Sequence, residues 1–86
     1  MKAEEILEGL ENLFVELQIE VRYDKGEFVG GFYRYKEKEQ LLVNKKLSIE
    51  QKINVLAREL HEKFDLNSVF VMPALREVID NAGRVA

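Results

Sequence analysis

The chain has no cysteine among its 86 residues. That excludes a disulfide framework, a thiolate metal site and a cysteine nucleophile. Histidine occurs once, as His61, and serine only as Ser48 and Ser68. A Ser-His-acid triad is hard to build from these, because Ser48 sits where a helix cap belongs and Ser68 lies in a turn. No apolar run approaches the roughly 20 residues that a membrane helix needs. The opening MKAEE lacks the basic start and apolar block of a signal peptide, so the expected location is cytoplasmic, with no membrane partner. Phosphate-binding glycine loops are missing too, since Gly30-Gly31 is not followed by the Lys-Ser/Thr such a loop requires. There is no internal repeat, linker or low-complexity segment.

What remains is the composition of a folded domain. Charged residues make up 34% and apolar residues 47% of the chain, which favours a packed core over disorder. At this length residues 1–86 form one domain with one modest core. The net charge of −3 argues against a protein built mainly to hold phosphate backbones. Abundant Glu and Lys without cysteine is the composition of a heat-adapted protein.

The most informative stretch is Leu47 to Phe64. Ser48 followed by Gln51 is a capping-box pattern, and Glu50 places a carboxylate at the positive end of the helix dipole. Ile49, Ile53, Leu56, Ala57, Leu60 and Phe64 recur at helical spacing and form one apolar stripe. Glu50, Lys52, Arg58, Glu59, Glu62 and Lys63 fall on the opposite face, expected to be solvated. A first helix is predicted from Lys2 to Leu17, with Ile6, Leu7, Leu10, Leu13, Phe14 and Leu17 inward. Gly9 within it implies close packing against a neighbouring element.

Between the helices, strict alternation in Ile19–Asp24 predicts a strand with Ile19, Val21 and Tyr23 on one face. Asp24–Glu27 is a turn in which Gly26 is free to take positive φ. Phe28–Tyr35 is a second strand, where Gly30-Gly31 suggests a bulge or a close backbone approach. Gln40–Asn44 is a third. The short loops predict a three-stranded antiparallel meander. Val69–Met72 reads as extended ahead of Pro73, which opens a last helix to about Asn81 with Gly83 as its stop. Arg84–Ala86 is expected to fray. The fold class is therefore α+β, in the order helix, antiparallel meander, helix, short extended segment, helix.

In chemistry, the central helix has the frame of a zinc-binding turn, in which two histidines four residues apart flank a glutamate base. Here the two ligand places hold Arg58 and Glu62, and only Glu59 occupies the position of the base. A guanidinium cannot ligate a cation near neutral pH. His61 lies beside the apolar stripe, away from both ligand places, and is the one imidazole a metal could use. Elsewhere, Tyr23, Tyr33, Arg34 and Tyr35 gather aromatic and basic side chains on the strands. That grouping suits a binding surface for protein, or for single-stranded nucleic acid by base stacking. Interleaved Glu20, Asp24, Glu27, Glu37 and Glu39 disfavour nucleic acid.

Leu41-Leu42-Val43-Asn44, Leu47-Ser48 with Gln51, and Leu56-Ala57-Arg58-Glu59-Leu60 together resemble the core of the ImmA/IrrE family of small zinc metallopeptidases. In that family a strand ending in Asn leads through a capped turn into a helix bearing HExxH. Val69-Phe70-Val71-Met72-Pro73 is similar to the apolar-Met-Pro segment before a later family helix. The likeness covers about half of the chain, from Leu41 to Asp80. It implies a zincin-like build, while Arg58 and Glu62 depart from the ligand set and no acidic third ligand has a counterpart. The expectation is a non-catalytic protein-interaction module without a cofactor. It would bind a protein partner, or a second copy through a sheet edge or Val69–Met72. The alternatives are a metal-dependent hydrolase with ligands supplied from elsewhere, and a single-stranded nucleic-acid binder.

Overall fold

The computed structural model describes residues 1–84 and is α+β. Helix α1 (Ala3–Glu16) leads into strands β1 (Glu20–Asp24), β2 (Gly30–Tyr35) and β3 (Lys38–Asn44). Helix α2 (Ile49–Lys63), a short 3-10 turn at Leu66–Ser68 and helix α3 (Pro73–Arg84) follow. Of the tail expected to fray, Arg84 closes α3, while Val85 and Ala86 lie outside the described residues.

The sheet corrects the expected meander. Its order is β1-β3-β2, with β2 antiparallel to β3 but β1 parallel to β3. The reason lies in the apolarity of β3. Leu41 and Val43 are fully buried, and a central place flanks them with Val21 and Tyr23 on one side and Phe32 and Gly30 on the other. The β1–β2 loop therefore passes over the end of β3 instead of folding straight back. Asn44 holds it there: its Nδ2 donates to the carbonyls of Gly26 (2.9 Å) and Phe28 (2.7 Å). Lys36 and Glu37, with φ of 49° and 66°, make the tight two-residue turn that joins β2 to β3. Gly26 does not take positive φ; that conformation falls instead on Gln18, Lys36 and Glu37.

The helices pack on one sheet face. Leu10, Leu13 and Phe14 of α1 and Leu56, Ala57 and Leu60 of α2 are buried against Leu41 and Val43. Phe14, Phe32 and Phe64 meet as a triangle with ring centroids 5.9 to 6.3 Å apart, joining helix, sheet and helix end. Ser48 caps α2 as its sequence predicts, with Ser48 Oγ accepting from Gln51 N and Gln51 Oε1 from Ser48 N. Gly9 meets the expected neighbour: a Cβ there would lie 2.7 Å from Leu75 Cδ1 of α3. Helix α3 runs through Gly83 rather than stopping at it, and the His61 ring covers that position, leaving no room for a Cβ. No helix among the described residues is long and apolar enough to cross a membrane.

A candidate site beside the edge of the sheet

One flank of α2 faces the start of β2 and leaves a cleft of about 450 Å³. Its floor is Leu47 and Val55, its rim Val29 and Gly30, and Gln51, Asn54, Arg58 and Glu59 line it from the helix. Gln51, Asn54 and Arg58 are three and four apart and form one line along the helix, with Glu59 beside it one turn after Val55. Gly30 makes the close approach possible: a Cβ there would lie 3.0 Å from both the Leu42 carbonyl and Val55 Cγ1. Gly31 has nothing within 4 Å of that position, and the ladder passes through both glycines without a bulge.

Glu59 is therefore not on a solvated face. It is half-buried, and its Oε2 is shielded from solvent with no hydrogen-bond partner among the described residues. Burial pushes its pKa up; Lys63 and Arg58 pull it down and Glu62 adds to the rise. A carboxylate oxygen without a donor in a shielded place is costly, and it marks where a ligand's donor would be welcome.

The cleft opens beside an unpaired strand edge. The amide of Asn44 donates to the Val29 carbonyl at 3.0 Å, continuing the β2–β3 register one step beyond the strand. In an antiparallel ladder residues facing the partner alternate with those facing away. Val29, Gly31, Tyr33 and Tyr35 thus spend their backbone groups on β3. The N–H and C=O groups of Gly30, Phe32 and Arg34 point outward from the sheet edge, which meets the cleft at Gly30.

The other site residues expected from sequence are dispersed. His61 is exposed and lies over Gly83, on the α3 side of α2. Among the described residues no three His, Cys, Asp or Glu side chains are placed to hold a metal ion. Tyr23 faces the helices: its hydroxyl donates to Glu11, and Lys52 Nζ sits 5.3 Å from its ring centroid. Burial first, then the Glu11 carboxylate, hold that phenol well above its usual range. Tyr33 is on the opposite sheet face, where it donates to Gln40 Oε1 and accepts from Arg22 at 3.3 Å. Gln40 in turn donates to Glu20 at 3.2 Å. Tyr35 shares that face and is exposed, with Lys36 Nζ 5.4 Å from its ring centroid. Arg34 is exposed beside Glu39 at 3.6 Å. Tyr33 and Tyr35 stay together, while Tyr23 and Arg34 point to the other side of the sheet.

A larger hollow, about 720 Å³, lies at the far end of the sheet between the α1–β1 turn and Glu37–Glu39. Its acidic side chains, Glu20, Glu37 and Glu39, are all exposed, so nothing in it is starved of a partner. We place the candidate site at the α2 cleft for that reason. Comparison of the chain with protein-family models, with curated proteins and with solved structures found no match.

Proposed function

We propose that the protein is a non-catalytic, cytoplasmic protein-interaction module, similar in build to an ImmA/IrrE peptidase stripped of its metal ligands. It takes an extended segment of a partner against the free edge of β2, with side chains reaching into the α2 cleft. The observation that carries this reading is the unpartnered, shielded oxygen of Glu59 beside the outward backbone groups of Gly30, Phe32 and Arg34. Strand addition supplies affinity through main-chain hydrogen bonds, and the adjoining cleft supplies selectivity. Arg58 and Glu62 at the would-be ligand places support binding without hydrolysis.

The test is to pan a library of displayed linear peptides against the full chain and map selected peptides by amide chemical shifts. Shifts confined to Val29–Arg34 and Gln51–Glu59 are expected, with the peptides recovered intact. Shifts clustered on the Tyr33–Tyr35 face instead would sink the reading. Glu59 also favours a second one, because a carboxyl with a raised pKa in a cleft suits a general base. Stoichiometric zinc, with peptide cleavage lost in Glu59→Gln, would establish that hydrolase.

A further inference from the structure

We infer that the segment this site takes is β2 of a second copy of the chain, paired antiparallel about a twofold axis at Phe32. The inference rests on the interaction reading above and names the partner. Only one register uses every outward group of the edge. Phe32 faces Phe32 of the second copy, and Gly30 and Arg34 face each other's counterparts. With the axis normal to the sheet, both copies keep their helices on the same face and the two sheets become one of mixed sense.

Three features of the monomer fit this register and no shorter contact. First, charge is complementary. Residues 30, 32 and 34 share the helix-covered face, so the second copy's Arg34 sits opposite Gly30, at the rim of the cleft that holds Glu59. Among the described residues of its own chain Arg34 has the exposed, 3.6 Å contact to Glu39. At that rim its guanidinium faces the Glu59 carboxylate across the mouth of a cleft that Arg58 also lines, and brings it a second charged partner. Second, the approach is unobstructed. On the other face Gly31, whose Cβ direction is empty, stands opposite Tyr33 of the second copy, whose hydroxyl is held back toward Gln40 and Arg22 and leaves the edge clear. Third, Val29 and Tyr35, 62% and 54% exposed, come opposite each other and cover apolar surface left bare in the single chain. Edge pairing also removes the unpaired strand that a lone sheet leaves to solvent.

The experiment is sedimentation of the full chain over rising concentration, with hydrogen exchange measured at both ends of the range. Twice the monomer mass is expected at the high end, with protection gained at Phe32 and Arg34. Arg34→Gln and Glu59→Arg should each weaken the pairing roughly tenfold or more, and Arg34→Glu with Glu59→Arg should regain most of it. Circular dichroism checks that each variant is folded. Monomer mass throughout, protection appearing at Val69–Met72 instead, or an unaffected Arg34→Gln dimer would each overturn the pairing. A monomer whose Val29–Arg34 amides still respond to selected peptides loses the dimer alone. One that responds to no peptide loses the interaction reading as well.

Discussion

Two glutamates flank the same helix layer and meet opposite fates. Glu11 on α1 is half-buried next to the sheet and receives the Tyr23 hydroxyl as a donor. Glu59 on α2 is half-buried on the other flank and has a shielded oxygen with no donor among the described residues. Both carboxylates lose water on folding, yet only one is repaid. A folded chain tolerates shielding an acid where a neighbour donates to it, so the acid without a donor among the described residues sets this flank of α2 apart from the α1 flank.

Both flanks rest on one support. Phe14 is fully buried and holds α1, β2 and the end of α2 together through Phe32 and Phe64. Phe14→Ala should cost about 3–5 kcal/mol in denaturant unfolding and lower both flanks at once. The next effect makes the two glutamates alike. Tyr23→Phe deprives Glu11 of its donor and should cost about 1–3 kcal/mol by the same measurement. Wild type should also lose stability in alkali. The folded state holds the phenol protonated, so this contribution is complete below the ordinary 10.0 and disappears as pH rises beyond it. The variant should lack that component; an identical alkaline profile would show that the phenol is not the group responsible.

The smallest effect, with the opposite sign, belongs to Glu59→Gln. At neutral pH and low protein concentration it should stabilise the chain by up to about 1 kcal/mol, since a neutral amide is cheaper to shield than a carboxylate. Because the folded pKa of Glu59 is raised, its carboxyl is tolerated in acid and the penalty grows as pH climbs through the folded value. Wild type and variant should therefore converge below the ordinary carboxyl range and separate above it. A gap that widens in acid would reverse the assignment of Glu59 as the burdened carboxyl.

Local signals made much of this fold legible. Period and capping located α1 and α2, with Ser48 and Gln51 closing the box as the spacing implies. Alternation put Val21 and Tyr23 on one face of β1, and Gly9 announced the contact with Leu75. Strand pairing was not legible, because β1 gains its neighbour through the burial of Leu41 and Val43 rather than through any turn. The same non-local cause hid the cleft. Glu59 falls beside Glu62 and Lys63 by count, and the approach of Gly30 to Val55 shields it. Gln51, Asn54 and Val55 were missed as lining residues, although their spacing to Arg58 and Glu59 would have aligned them once that face was suspected. Tyr23 parts from Tyr33 and Tyr35 because nearness in sequence among strands says nothing about which side of the sheet each ring takes.

The clamp at Asn44 carries a consequence for how the molecule ages. One primary amide tethers two carbonyls of the crossing loop and, through its oxygen, accepts from the amide of Lys46 at 3.0 Å. Hydrolysis of that amide would leave an anion facing two carbonyl dipoles, repelled where it had been held. Slow chemical wear at this one side chain would then free the strap that keeps the first strand in place, long before any apolar contact had changed.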